Sequence, residues 1–277
     1  MKIGVFDSGV GGLTVFKYLE DVLPNYDYVY LGDNLRAPYG GRDDQTIYEF
    51  TRQAVDYLFQ KENCQLIILA CNTASASALR RLQQEYLPTL NDPHKRILGI
   101  IIPIAEAVPR LSKKGKIALI GTKATVKAAT YDDEIAKAWG AVRPTEKMYL
   151  YKEAAPLFVP LVEEGLLENR ATKFLARQYL RPLKKHRPDT LLLACTHYPL
   201  LADLLAGIMG KSCRTILPGP IVAASLAEYL QRHTEIDELL SKGASRRFLC
   251  TAPPQAFNNL SSRFLGYGVA AEQVLVG

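Results

Sequence analysis

The sequence is poor in the residues that build disulfide frameworks and metal sites. Its 277 residues include five cysteines and four histidines, and no C-x-x-C motif occurs. An odd number of cysteines without paired spacing argues against a disulfide framework, and so few histidines argue against a zinc site. We therefore expect no bound metal. A chain of this length can bury a sizeable apolar core without disulfides or metal ions to stabilise it.

Long apolar runs and an N-terminal targeting pattern are also missing. No apolar run approaches the roughly eighteen residues of a membrane span, and the first residues form a strand-like pattern rather than a signal peptide. These absences lead us to expect a cytoplasmic protein that makes no membrane contact.

Positive charge exceeds negative charge, but it is not concentrated. The chain has 34 Lys and Arg against 28 Asp and Glu, a formal net charge of +6 and an isoelectric point near 9.0. Short basic clusters occur at 113–116, 184–187 and 246–247. Clusters of this length are typical of solvated loops and helix ends, so we expect no nucleic-acid partner.

One motif is written twice in the chain. An apolar run ends at Ala70-Cys71 and another at Ala194-Cys195, and a helix-like pattern follows each. Such runs predict strands buried on both faces, and the helix after each strand predicts a parallel sheet. The cysteines then lie at the carboxyl ends of strands, where open α/β sheets bind ligands. A free cysteine is usually a small core residue, but two copies in matching contexts favour a functional role.

The first half of the chain predicts a strand, a loop and a helix three times over. Strands are expected at 2–6, 28–31 and 66–70, and each is followed by a helical pattern. This order is typical of a parallel α/β layer. The glycine-rich turn after the first strand does not have the glycine spacing of a dinucleotide-binding loop. Asp7 would also direct a negative carboxylate at the pyrophosphate of such a ligand, so we do not interpret this turn as a dinucleotide site.

The second half repeats this pattern. Strands are predicted at 97–102 and 116–120, and a helix at about 166–179 leads to the strand before Cys195. No third cysteine motif follows, and we expect the remaining segments, including strands at 215–217, 247–250 and 272–276, to complete the first half's sheet.

The predicted fold class is therefore α/β, with two pseudo-symmetric α/β domains built on mainly parallel sheets. We expect a first domain of residues 1–98 plus 208–277, which carries Asp7 and Cys71. Residues 99–207 form the second, which carries Cys195 and His197. The active site is expected in the cleft between them.

Two thiols in equivalent positions suit a reaction that is itself nearly symmetric. An unperturbed thiol has a pKa of about 8.5, close enough to neutrality for acid or base work once its surroundings tune it. Removing a proton from one face of a carbon and returning one to the other face is such a reaction. Its supporting groups should be acids and hydrogen-bonding side chains, a description that fits Asp7, Ser8, Asn72, Thr73, Thr196 and His197.

Six blocks of sequence together resemble the glutamate racemases of the aspartate/glutamate racemase superfamily. They occur in the family's order over nearly the whole chain, at 6–15, 38–40, 70–74, 121–125, 158–163 and 194–199. The resemblance implies a cofactor-independent enzyme that interconverts L-glutamate and D-glutamate and supplies D-glutamate for peptidoglycan. It also implies a homodimer.

The resemblance assigns roles to individual residues. It implies that Cys195 takes the proton from L-glutamate and Cys71 from D-glutamate. The family's assisting acids and histidine fall on Asp7, Asp33, Glu163 and His197. Its substrate contacts fall on Asp7, Ser8, Pro38, Tyr39, Gly40, Asn72, Thr73, Thr122, Thr125, Thr196 and His197. The residues by themselves leave Asp33 open as a turn cap and Glu163 as a surface charge, and the sequence departs from the family pattern at Ala128, Ala155 and 217–220.

Three other functions stay open at this point. An aspartate racemase would use the same chemistry in a pocket of different size. A protein that binds an amino acid without reacting could keep the fold, since fold does not settle function. A cysteine hydrolase could use Cys195 with His197, but it would leave Cys71 unexplained.

Overall fold

The computed structural model describes all residues, 1–277, as two parallel β-sheets with helices packed against them. The strands are β1 (Lys2–Asp7), β2 (Tyr28–Gly32), β3 (Cys64–Leu69), β4 (Arg96–Gly99), β5 (Lys116–Gly121), β6 (Tyr149–Ala154), β7 (Thr190–Ala194), β8 (Arg214–Ile216), β9 (Arg246–Cys250) and β10 (Glu272–Gln273).

The helices alternate with the strands along most of the chain. They are α1 (Leu13–Val22), α2 (Asp44–Gln60), α3 (Asn72–Ser77), α4 (Leu79–Arg81), α5 (Ile101–Leu111), α6 (Lys123–Lys127), α7 (Thr130–Val142), α8 (Phe158–Glu163), α9 (Arg170–Lys184), α10 (Ala202–Met209), α11 (Pro218–Arg232), α12 (Thr234–Asp237) and α13 (Pro254–Leu265). A π-helical turn at Leu82–Tyr86 and 3₁₀ turns at Leu87–Leu90 and Tyr198–Leu201 complete them. No helix has both the length and the apolar character needed to cross a bilayer.

The strands form two separate parallel sheets. The larger sheet has the order β10-β9-β2-β1-β3-β4 and the smaller one β6-β5-β7-β8, and every pairing is parallel. The central strands are buried along almost their whole length, as their apolar sequences predict. The α/β class with mainly parallel sheets is confirmed.

Two of the expected strands differ from the structure. The strand expected at 97–102 is β4, which ends at Gly99, because α5 begins at Ile101 and takes Pro103 into its first turn. Proline is tolerated there since the first backbone N–H groups of a helix have no partner within it. The strand expected at 215–217 was wrongly placed in the first sheet: β8 pairs with β7, with Leu191 opposite Thr215.

Other boundaries moved by a few residues, and some elements were missed. The helix expected at about 166–179 is α9, and the unusual stretch 217–220 places prolines in the first turn of α11. The missed elements include β6 and α5. β6 is an edge strand without a fully buried position, so its sequence lacks the apolar run that revealed the central strands.

One of the three buried apolar clusters spans both sheets. A cluster of 40 buried residues includes Ile3 and Ile68 from the larger sheet and Leu191 and Leu193 from the smaller one. Hydrogen bonds also connect the two halves near the carboxyl ends of the strands. The backbone N–H of Ala124 donates to the carbonyl of Gly40 at 3.0 Å.

Candidate active site

The carboxyl ends of strands from both sheets meet at one cavity of about 220 Å³, called the cleft below. Cys71 follows β3 of the larger sheet, and Cys195 follows β7 of the smaller sheet, so the cleft receives one cysteine from each. The lining residues are Ser8, Gly9, Ala37, Pro38, Tyr39, Gly40, Gly41, Cys71, Asn72, Thr73, Thr122, Lys123, Pro156, Val159, Pro160, Glu163, Cys195, Thr196 and His197.

Nearly all residues singled out from the sequence lie at this cleft. The exceptions are Asp7, Asp33 and Thr125, which are completely buried and do not line it. A larger groove of about 1010 Å³ lies between α9 and α10, but it is open to solvent and contains none of the predicted site residues.

Cys71 precedes α3 and is 4% exposed. Its sulfur accepts a hydrogen bond from the backbone N–H of Ala74 at 3.5 Å and lies 3.5 Å from the hydroxyl oxygen of Ser8. Burial, and after it the nearby charge of Asp7, raise the pKa of the Cys71 thiol to about 11, while the hydrogen bonds act in the opposite direction. This thiol is therefore protonated at neutral pH and becomes a strong base once ionised.

Cys195 is 5% exposed and is also held as a thiol by burial. Removal from water is the main cause of its raised pKa, and negative charge on Cys71 or Asp7 would raise it further. Backbone N–H groups of His197 and Tyr198 act in the opposite direction. The mutual effect of the two sulfurs means that ionisation of one favours the protonated form of the other.

Asp7 lies behind the cleft at the end of β1, with its carboxylate fully buried. One oxygen accepts from the N–H of Gly9 at 2.9 Å and the other from the hydroxyl of Thr196 at 3.4 Å. Burial raises the pKa of Asp7, and the opposing influences are led by the nearby His197.

The glycine-rich turn after Asp7 is needed for close packing. A Cβ atom at Gly12 would lie 2.5 Å from the Cβ of Asp7, and one at Gly11 would overlap the imidazole of His197 and the hydroxyl of Thr196. Contacts under about 3.0 Å do not occur for real Cβ atoms. The glycines therefore let Asp7 approach Thr196 and His197, which follow a strand of the other sheet. This close packing accounts for the glycines without a bound phosphate.

His197 is oriented by a carboxylate from α8. Its Nε2 lies 2.9 Å from Oε1 of Glu163, and Phe264 packs at right angles to the imidazole with 5.3 Å between ring centres. Arg263 donates to the backbone carbonyls of Val162 and Glu163 at 2.8 and 2.5 Å. The C-terminal helix α13 thus holds the segment that orients the histidine.

Three threonines connect the two halves beside the cleft. The hydroxyl oxygen of Thr73 lies 3.0 Å from that of Thr122 and 3.3 Å from that of Thr125, and the last two are 2.9 Å apart. Thr122 also caps α6 by accepting from the N–H of Thr125. The cluster joins the segment after Cys71 to the loop after β5.

Asn72 offers a donor that has no protein partner. Its Oδ1 accepts from the hydroxyl of Tyr131 at 2.7 Å, while its Nδ2 is buried without a hydrogen bond. A buried amide N–H without an acceptor is costly. A carboxylate oxygen in the cleft would supply one.

Asp33, like Asp7 and Thr125, is buried and does not line the cleft. Its carboxylate accepts from Arg36 at 2.6 Å, from Thr251 at 2.8 Å and from the hydroxyl of Tyr39. These contacts fix the loop that carries Pro38 and Tyr39. The structure therefore places Asp33 behind this loop.

Sequence reasoning missed several residues at the site, and three of them have side chains that line it or contact predicted residues. Lys123 lines the cleft, Tyr131 bonds to Asn72, and Phe264 packs on His197. Only the position of Lys123, directly after the predicted Thr122 contact, was a usable signal. No group of three or more His, Cys, Asp or Glu side chains is arranged to hold a metal ion.

Comparison with known proteins gives consistent matches. The model of the Asp/Glu/hydantoin racemase family matches residues 13–226. The glutamate racemase of Dinoroseobacter shibae is 39% identical over 280 residues, which cover 96% of this chain and 96% of that protein.

Two crystal structures show the same arrangement of the chain. A glutamate racemase isoform from Bacillus anthracis superimposes with a TM-score of 0.86 at 33% identity, covering 99% of this chain and 97% of that one. The glutamate racemase of Francisella tularensis in complex with D-glutamate gives 0.84 at 31% identity, with coverage of 99% and 97%.

Proposed function

This chain belongs to the Asp/Glu/hydantoin racemase family, and we propose that it interconverts L-glutamate and D-glutamate with Cys71 and Cys195 on opposite faces of the α-carbon. The observation that carries the proposal is the meeting of the two cysteines, one from each sheet, at a single cleft. Relatives that are 36% to 43% identical to the chain are named glutamate racemases, which supports glutamate as substrate.

The proposed reaction moves one proton off the α-carbon and another onto it. With L-glutamate, the thiolate of Cys195 takes the α-proton, and the thiol of Cys71 gives its proton to the opposite face. D-glutamate leaves with Cys195 as thiol and Cys71 as thiolate. The reverse direction uses the opposite roles. Because burial raises both thiol pKa values, a thiolate here is a stronger base than one in water.

The neighbouring polar groups are proposed to assist each sulfur. Burial and then the charge of Asp7 raise the pKa of Cys71, and we assign Asp7 the role of assisting proton transfer at that sulfur. His197, two residues after Cys195 and oriented by Glu163, assists the other. Asp33 holds the Tyr39 loop in place without touching the reacting atoms.

Substrate recognition is assigned to the donors around the cysteines. Asn72 has a free amide N–H, and Ser8, Thr73 and Thr196 contribute hydroxyls. Lys123 is the one lysine or arginine that lines the cleft, and a dicarboxylate gains from it. These protein groups supply both proton-transfer steps and the substrate contacts, so the proposal requires no cofactor. The D-glutamate formed is proposed to supply peptidoglycan synthesis.

The test follows the α-proton in deuterated water. Starting from either enantiomer, early product should carry deuterium at the α-carbon while recovered substrate carries almost none, provided the thiols equilibrate with solvent between turnovers. A single base for both faces would instead return original proton to product or exchange substrate at a comparable rate. L-aspartate is assayed beside glutamate, and faster turnover of aspartate would overturn the substrate assignment.

Substitution of the cysteines gives the matched control. Cys71→Ala and Cys195→Ala should each abolish racemisation in both directions, because each direction needs one sulfur as base and the other as acid. Cys213 is also buried but lies outside the cleft, so Cys213→Ala should keep near-parent activity. Racemisation at the parent rate by Cys71→Ala would contradict the two-base reaction.

A further inference from the structure

We infer that Tyr131 is a positioning residue that fixes the side-chain amide of Asn72 with its Nδ2 donor directed to a substrate carboxylate. The inference rests on the proposed function, because it names the group that prepares the cleft for its acidic substrate. Tyr131 itself does not line the cleft and acts through Asn72.

The contact joins the two halves of the molecule. Tyr131 is in α7, which follows the smaller sheet's β5, and Asn72 begins α3, directly after Cys71. The hydroxyl of Tyr131 is 2.7 Å from Oδ1 of Asn72, and the two residues are 1% and 2% exposed. Water therefore has little access to either group, and the hydroxyl has no other hydrogen-bond partner.

The direction of this hydrogen bond sets the orientation of the amide. A buried phenol has one proton to donate and needs an acceptor. Burial raises the pKa of Tyr131, and the nearby Cys195 raises it further, so the phenol stays protonated at neutral pH. Oδ1 of Asn72 is the acceptor in reach, which forces Nδ2 to the other side of the amide.

The other side of the amide carries the unused donor. Nδ2 of Asn72 is buried without a partner in a residue that lines the cleft. An acidic substrate provides the missing acceptor. Without the Tyr131 hydroxyl, the amide can rotate by half a turn and present Oδ1, which repels a carboxylate. Tyr131 therefore sets which face of Asn72 the substrate meets.

The test is Tyr131→Phe, which keeps the ring and removes the hydroxyl. We expect kcat/KM for both enantiomers to fall about tenfold, the loss expected for one hydrogen bond to a charged group. Most of the loss should appear in KM, because the carboxylate is charged in both the ground state and the transition state. Tyr28→Phe is the matched control: Tyr28 is buried and donates to the carbonyls of Leu19 and Leu23, away from the cleft, so its KM should not change.

A double-mutant cycle separates positioning from general packing. In an Asn72→Ala background, Tyr131→Phe should cause no further loss, because the amide it positions is gone. Equal losses in both backgrounds, or an unchanged KM in Tyr131→Phe alone, would overturn the inference. A parent enzyme that does not racemise glutamate would instead refute the proposed function, which the assay of the unsubstituted protein reports separately.

A second measurement uses the unsubstituted protein and does not depend on the stability of any variant. The side-chain amide resonances of Asn72 should shift when D-glutamate saturates the cleft, because Nδ2 gains its acceptor. Resonances that stay in place at saturation would show that the amide does not meet the substrate, and Tyr131 would then have no positioning role.

Discussion

At the residue scale, the two cysteines have similar backbone positions but different neighbours. The sulfur of Cys71 lies beside the Ser8 hydroxyl and the Ala74 N–H, and burial and the nearby charge of Asp7 raise its pKa. Cys195 has backbone N–H groups and is followed by His197. The repeat in the sequence therefore supplies two thiols, while the acid and the histidine make the two sides of the cleft chemically distinct.

The different neighbours predict the effect of two substitutions. Asp7→Asn and His197→Asn should each lower kcat by about 10²-fold or more, because general acid and base assistance is typically worth about 10²–10⁴-fold. Steady-state rates in both directions measure this. Lys184→Ala is the control, since Lys184 lies in the solvent-open groove between α9 and α10. Losses of equal size in all three variants would show that the polar neighbours of the cysteines have no special role.

The sequence predicted the polar groups that follow buried strands and missed those brought in by packing. Cys71 and Cys195 were visible because an apolar run ends at each. Tyr131 and Phe264 lie far along the chain from the residues they contact, and no local pattern marks such a contact. Asp33 was included because of the family resemblance, and its carboxylate accepts hydrogen bonds from Arg36, Tyr39 and Thr251.

At the scale of elements, the loop after β2 closes one side of the cleft by contact with the loop after β5. The carbonyl of Gly40 accepts from Ala124, and a Cβ atom at Gly40 would lie 2.6 Å from the Cβ of Thr122. Such a separation is too short for two carbon atoms, so one loop would have to move. Glycine at this position lets the two halves touch.

Gly40→Ala is therefore expected to raise KM for glutamate about tenfold or more, because it pushes the Tyr39 loop away from Thr122 and disturbs the wall of the cleft. Gly41→Ala is the neighbouring control, since a Cβ there meets nothing within 4 Å. Its KM should change much less. Matching KM values for the two variants would mean that the Gly40 contact does not shape the cleft.

Elements with uniform burial were predictable, and those whose burial depends on packing were not. β3 and β7 are buried throughout and mostly apolar, and both were found from sequence. β6 carries Lys152 and Glu153 at a sheet edge and was missed. β8 has only three residues, and its sequence does not indicate which of the two sheets it pairs with.

At the scale of the whole molecule, the two sheets are joined by a shared core and by hydrogen bonds beside the cleft. Thr14 of α1 donates to the carbonyl of Thr196 at 2.8 Å, and Thr73 contacts Thr122. We propose that the chain forms two domains, 1–98 plus 208–277 and 99–207, except that β8 (Arg214–Ile216) belongs to the sheet of the second domain.

Buried thiols also make the whole fold sensitive to alkaline pH. Burial raises the pKa of Cys64 to about 12, against about 8.5 in an unfolded chain. Below about pH 8.5 both states keep the proton, and the thiol's contribution to stability is fully present. At higher pH the unfolded state loses its proton first, so the contribution is lost as pH rises towards 12, at about 1.4 kcal/mol per pH unit.

Cys64→Ala should therefore reduce the loss of stability between pH 7 and pH 10 by about 2 kcal/mol, the product of that slope and about 1.5 pH units. Urea unfolding at both pH values measures the difference, and other titrating groups cancel because they are common to both proteins. Ile67→Val, in the same buried strand, is the control: it removes a methylene group and lowers stability equally at both pH values. If Cys64→Ala showed the same pH dependence as the parent, Cys64 would titrate alike in the folded and unfolded chains, and burial would not hold it as a thiol.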